Sequence, residues 1–310
     1  MIYTVTLNPA LDKTAVIPHF AADRVNRIRD LRTDPGGKGI NVSRVLESLG
    51  MKSTAFALLG GSTGRTLEAL LKGARFDCEF IFGDFETRTN LKIRDPEEYT
   101  NTDINEPGSG ITEDKVRELM QKLTDRVRPG DSAVISGSIP AGISKDTYRS
   151  MILELHDAGA EVFLDADGEA LARGILAHPD FIKPNREELE HLCGRNLPAD
   201  RDVLGAALNL YKSGIPNVIV SLGGDGALFL LKGEVYRAGG VPVLVRSTVG
   251  AGDSMAAAAV FSTSLHRKNE DLVRLCIAAS AASVECEGTE PADMERIKEL
   301  LPKVQVRRLV

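Results

Sequence analysis

The sequence predicts an α/β fold, a mostly parallel sheet between helices with a small β-sheet beside it. Three observations predict it. From residue 112 onward, short apolar runs alternate with stretches of helical period, the pattern of parallel strands joined by crossover helices. Polar or glycine residues recur just after the runs, at Ser138, Asp165, Asn185 and Gly223. In an open sheet those strand ends share one side, where ligands bind. Residues 14–17 and 26–33 mix polar and apolar residues without helical period and read as strands outside the main sheet.

The totals bound the function. The 310 residues are 43% hydrophobic and 26% charged, an ordinary globular composition. Net charge is −6 and the pI about 5.5, which argues against nucleic acid or an anionic membrane as partner. A phosphate-bearing ligand must then be held by local Lys and Arg. Cys78, Cys193, Cys276 and Cys286 lack C-x-x-C spacing, pointing to reduced thiols in a cytoplasm and to no zinc site. The N-terminus reads as a strand, without the basic-then-apolar order of a signal peptide. The longest apolar run, near Ala256, is too short to span a bilayer.

Taken in order, residues 2–7 form a strand stopped by Asn8-Pro9, and Asp12 follows where a crevice residue would stand. A solvated loop aspartate is the plainer alternative. Pro35-Gly36-Gly37-Lys38-Gly39 opens a helix over 40–49 capped by Gly50. Its glycines let the backbone lie flat against a small molecule, with Lys38 and Asn41 at the mouth. A strand over 53–59 turns through 60–64 into a helix ending near Lys72. Residues 86–94 alternate, putting Arg88, Asn90, Lys92 and Arg94 on one strand face. That row is either a solvated edge or an anion-binding strand. Helices follow over 112–127, 146–157, 169–177, from Pro184, and over 200–213. Strands fall at 133–136, 161–164, 181–183 and 218–221. Residues 241–245 read as a strand, 254–265, 270–284 and 294–300 as helices, and 305–309 as a last strand. With no repeat or long linker, residues 1–310 are read as one domain.

The stretch 247–255, Ser-Thr-Val-Gly-Ala-Gly-Asp-Ser-Met, holds the chemistry. Gly250 and Gly252 turn the chain into an alanine-rich helix, whose first amides lack intrahelical partners and face a positive dipole end. Such a place holds phosphate. Asp253 is then either a helix cap or a base that takes a proton from an attacking hydroxyl. Neither a P-loop nor a dinucleotide fingerprint occurs.

Gly36-Gly37-Lys38-Gly39-Ile40-Asn41, Lys183-Pro184-Asn185 with Glu188, and Val249-Gly250-Ala251-Gly252-Asp253 stand in an order and spacing that resemble the ribokinase-like (PfkB) sugar kinases, essentially from end to end. The resemblance implies an ATP- and Mg2+-dependent kinase acting on a small-molecule sugar phosphate. D-fructose 1-phosphate is the expected substrate and tagatose 6-phosphate the nearest rival; a non-catalytic sugar-phosphate sensor is the alternative of another class. It implies Asp253 as base and the amides of Ala251, Gly252 and Asp253 as the anion hole, with Gly250 among the catalytic residues. Asp12, Gly36, Gly37, Asn41 and Asn90 fall on the sugar side; Arg27, Lys38, Arg88 and Ser138 fall near the phosphate already on the sugar. Asn185 and Glu188 match a magnesium element acting through water, and Lys183, Ser221, Gly223 and Gly226 the nucleotide side. Segments of about 13–35 and 85–104 match a β-lid, which implies a homodimer. Ser247 departs from the family pattern, where an aspartate belongs to a monovalent-cation site, so nothing in the sequence calls for potassium.

Overall fold

A computed structural model describes residues 1–309. β1 (Ile2–Thr6) is buried throughout. Its chain turns at Asn8-Pro9 straight into β2 (Ala10–Val16) of a second sheet. Asp12 therefore lies within a strand rather than a loop, and it is buried. β3 (Asp30–Gly36) pairs antiparallel with β2, Ala10 opposite Gly36. The strand expected over 26–33 starts later and runs through Pro35. Because β3 is the edge strand, the missing proline N–H disrupts no ladder there.

α1 (Lys38–Ser48) follows at once, then β4 (Thr54–Gly60) and α2 (Gly61–Leu70). β5 (Asp77–Gly83) is a strand the sequence reading did not mark. It forms the far edge of the large sheet, where only one neighbour disciplines its pattern. β6 (Arg88–Asp95) and β7 (Thr100–Asn105) return the chain to the small sheet, whose order is β3-β2-β6-β7. β2 and β6 run parallel there, the outer pairs antiparallel. β6 is flanked on both sides, which rules out a solvated edge for its cationic row.

The alternating region matches the expected pattern: α3 (Glu113–Arg126), β8 (Ser132–Ser136), α4 (Thr147–Asp157), β9 (Glu161–Asp165), α5 (Gly168–Gly174), β10 (Phe181–Ile182), α6 (Arg186–Cys193), α7 (Asp200–Lys212) and β11 (Asn217–Ser221). A hairpin, β12 (Ala227–Leu231) and β13 (Glu234–Ala238), then runs antiparallel. The strand–helix alternation of the sequence does not predict it, because a hairpin breaks that alternation. α8 (Ala251–Ser264), α9 (Asn269–Ser283), α10 (Met294–Leu300) and β14 (Val306–Arg308) complete the chain.

The large sheet has ten strands in the order β14-β13-β12-β11-β10-β9-β8-β1-β4-β5, parallel from β11 to β5. The expected strand over 241–245 does not form. β13 already pairs with β12 and β14, so that run has no free ladder, and Pro242 lacks a donor. One face of the sheet buries Leu119, Tyr148, Ile152 and Leu189 beneath α3 to α7. The other buries Val42, Leu46, Val260 and Ile277 of α1, α8 and α9. α8 is buried continuously from Asp253 through Ser262, as a helix apolar on every side must be. Its alanines let both neighbouring helices and the sheet approach closely.

Candidate active site

α8 begins where Gly250, at φ 81, turns the chain through the left-handed region. Ala251 and Gly252 follow, and Asp253 lies in the first turn. Its carboxylate caps nothing. Oδ2 instead accepts a 2.8 Å hydrogen bond from Asn41 Nδ2 on α1, inside the protein. The capping alternative is therefore wrong for this aspartate. Burial, and secondarily Asp165, push its carboxyl up to about 6, against Lys38, the Asn41 bond and Lys183. A carboxylate that is ionised at neutral pH but less acidic than usual is suited to general-base work.

Asp165 ends β9 and is the residue the sequence reading left unassigned. Its Oδ1 meets Lys38 Nζ at 3.2 Å and Lys183 Nζ at 3.4 Å, while the buried Oδ2 has no partner. Burial opposes its charge, but Lys183 and Lys38 outweigh it and hold the carboxyl below the usual range. Burial likewise opposes the Lys38 ammonium, and Asp165, then Asp253, overcome it and raise its pKa. One lysine opens α1, the other directly follows β10, and the two share one oxygen. The only sign in the sequence was position: Asp165 closes a buried strand, just as Asn185 follows one.

The small sheet supplies a second cluster. Register places Asp12 opposite Asn90, and Thr14 opposite Lys92. Asn90 Nδ2 donates to Asp12 Oδ1 at 2.9 Å and Lys92 Nζ to Oδ2 at 2.8 Å. A Cβ at Gly36 would fall 2.6 Å from Asp12 Cγ, so that glycine makes room for the aspartate. Gly37, at φ 120, likewise abuts Thr6 and Pro9. Arg88 donates through Nε and Nη2 to the Asn8 carbonyl, and through Nη1 to the carbonyl of Glu106 and to Asn90 Oδ1. Ser138 Oγ lies 3.1 Å from Asn8 Nδ2. Arg27 alone stands apart: it is exposed between β2 and β3 and makes no hydrogen bond or ion pair among the described residues.

Ser221, Gly223 and Gly226, expected on the nucleotide side, line a cleft of about 530 Å³ together with Val243, Gly252 and Val284, among others. Lys183 reaches its rim, since a Cβ on Gly252 would lie 3.2 Å from Nζ. Asn185 and Glu188 form a capping box on α6. Glu188 N donates to Asn185 Oδ1 and Asn185 N to Glu188 Oε2, both at 2.8 Å. That leaves Glu188 Oε1 for other work, and burial raises the Glu188 carboxyl. No cluster of three or more metal-ligating side chains occurs among the described residues. A lone carboxylate oxygen of this kind fits Mg2+, which keeps most of its waters and takes the rest of its ligands from phosphate.

Residues 5–296 match the model of the pfkB family of carbohydrate kinases, and the chain belongs to that family. It is a carbohydrate kinase. It is 34% identical to the 1-phosphofructokinase of Bacillus subtilis over the full length of both chains. It is 35% identical to that of Rhodobacter capsulatus, over 99% of this chain and 98% of the relative. Among solved structures, phosphofructokinase-2 from Escherichia coli in complex with fructose-6-phosphate superposes with a TM-score of 0.91 at 30% identity, covering 97% of this chain and 98% of that one. The ribokinase-like architecture is thereby shown.

Proposed function

We propose that this kinase transfers the γ-phosphoryl group of ATP to the 6-hydroxyl of D-fructose 1-phosphate, giving fructose 1,6-bisphosphate and ADP. The observation that carries the reading is Asp253, a buried carboxylate raised to about 6 at a helix N-terminus, tied to Asn41 and within the field of Lys38 and Lys183. The names of the relatives support the substrate.

Phosphoryl transfer needs alignment and compensation of spreading charge more than covalent help. In this reading the sugar lies between the two polar clusters. Asp12, held by Asn90 and Lys92, accepts from sugar hydroxyls. Lys38, Arg88 and Ser138 face the phosphate already present, and Arg27 joins them when the small sheet closes. Asp253 Oδ1 takes the proton of the 6-hydroxyl as its oxygen attacks phosphorus. The amides of Ala251 and Gly252 and the dipole of α8 hold the migrating group. ATP lies in the glycine-lined cleft along Ser221, Gly223 and Gly226, and Lys183 meets its phosphates. Mg2+, when bound near Glu188 and Asn185 through water, neutralises phosphate charge. The small sheet acts as a lid that excludes water as a competing acceptor.

The same sheet is proposed to pair two copies into a homodimer. Leu31 and Ile104 are exposed on it, and Val25 and Ile28 on the loop that joins β2 to β3, 49% or more each. Apolar residues exposed together on a small sheet and its connecting loop mark a surface awaiting cover. Among the described residues no helix is long and apolar enough to cross a membrane. A cytoplasmic location is part of the proposal. Sizing the purified protein is expected to give a dimer, and a strict monomer refutes the pairing.

The substrate is tested by coupled ADP-release assays with fructose 1-phosphate, tagatose 6-phosphate, fructose 6-phosphate and free fructose side by side. Fructose 1-phosphate is expected to give the highest kcat/KM. A higher value for tagatose 6-phosphate replaces the substrate, and no ADP from any sugar replaces the kinase with a sensor.

A further inference from the structure

Asn8 lies buried at the turn between the two sheets, 4% exposed. Its side-chain amide touches two oxygens: Pro107 O at 2.9 Å, on the strand's exit from the small sheet, and Ser138 Oγ at 3.1 Å, just past β8. A main-chain carbonyl can only accept, so the atom facing Pro107 is Nδ2, and this fixes the amide's orientation. The contact to Ser138 is made by the same Nδ2. The hydroxyl of Ser138 therefore accepts from Asn8 and has its own proton free to point elsewhere. Oδ1 is turned away, toward Gly108, where a Cβ would fall 2.3 Å from it, and Gly108 sits at φ 74. The glycine thus keeps the pocket in which this orientation fits. Asn8 also anchors the neighbouring cation, since its main-chain carbonyl accepts from Nε and Nη2 of Arg88.

We infer that Asn8 is a positioning residue which sets Ser138 as a hydrogen-bond donor and thereby makes that end of the sugar site selective for an anion. This rests on the proposed reading that Ser138 faces the phosphate of the substrate. Beside it, Arg88 has only donors to offer. A site end made of donors is satisfied by a phosphate oxygen, which only accepts. Without Asn8 the serine proton can turn toward the vacated space, and the donor is lost to the ligand. Substitution of the side chain leaves the main-chain carbonyl in place, so the Arg88 anchor is spared.

The test is a double-mutant cycle on the KM for fructose 1-phosphate, with the KM for ATP read on the same preparations. KM does not depend on the fraction of enzyme that is folded. Ser138→Ala and Asn8→Ala are each expected to raise the sugar-phosphate KM by about ten- to hundredfold, the worth of one hydrogen bond to an ion. The pair together is expected to do no more than either alone, with the ATP KM within about twofold of the parent. Asn8→Asp keeps the volume and serves where Asn8→Ala does not fold. It captures the serine proton and adds a negative charge, so it is expected to be worse than alanine. A Ser138→Ala effect with a silent Asn8→Ala overturns this inference alone. So do independent, multiplying effects, or an Asn8→Asp milder than Asn8→Ala. A silent Ser138→Ala overturns the reading of Ser138 itself, and the inference with it.

Discussion

The two halves of the cleft are built on opposite principles. On the proposed sugar side, polar groups hold one another: Asp12 by the side chains of Asn90 and Lys92, Arg88 by the main-chain carbonyls of Asn8 and Glu106, and Asp253 on α8 by Asn41 on α1. On the proposed nucleotide side, the wall is glycine backbone and small apolar side chains such as Val243 and Val284. A preformed polar network discriminates steeply, because any ligand that leaves a buried group unpaired incurs its desolvation. An apolar slot discriminates weakly, about one methylene at a time. Choice among sugars should therefore be sharp and choice among nucleotides loose.

Substitutions should divide along the same line. The largest effect is expected from Asp253→Asn, which keeps the bond geometry but removes the base: kcat falls by about 10²–10⁴-fold. Single-turnover rates check it, and unchanged turnover refutes the base. Next comes Lys92→Met, which strands the Asp12 carboxylate, itself 5% exposed. Breaking such a buried pair costs about 3–5 kcal/mol, readable as a drop in the urea midpoint. The sugar-phosphate KM is expected to rise by about 10–100-fold, while that for ATP stays put. Equal damage to both KM values would erase the contrast.

Acidity acts on the sugar side as well. The proposed base, Asp253, works only when ionised, and its pKa is raised to about 6. So kcat/KM is expected to hold above that value and to fall about tenfold per pH unit below it, as a pH profile on the free enzyme will report. A profile flat down to pH 4.5 contradicts the buried carboxylate as base. The smallest effect is expected from Val243→Ala in the nucleotide wall, about fourfold on the KM for ATP and none on that for the sugar. A loss as large as that of Lys92→Met would show the two sides to be equally demanding.

How much of this was legible beforehand depends on distance along the chain. The start of α8 could be read directly, since a glycine in the left-handed region and the residues of one helical turn are neighbours in sequence. The same holds for Asn185 and Glu188, three residues apart, although what proximity decided there was a helix cap. The alternation of β8 to β11 with helices was readable because burial on both faces imposes uninterrupted apolar runs. The hairpin β12–β13 and edge strand β5 were not, for nothing local says which strand will lie beside them. The run over 241–245 had a strand's composition but no partner left to pair with.

By itself, then, the amino-acid order determined which residue types gather at strand ends and helix starts, because steric and capping preferences act within a few residues. It could not tell whether Lys92 was a solvent cation or the counter-ion of an aspartate 80 positions away. Nor could it reveal that Asp165 would join Lys38, 127 positions before it, to Lys183. Those pairings were decided by sheet register and by the packing of α1 against the large sheet. Two charges that meet only after the chain has packed leave no periodic trace in the order of the residues.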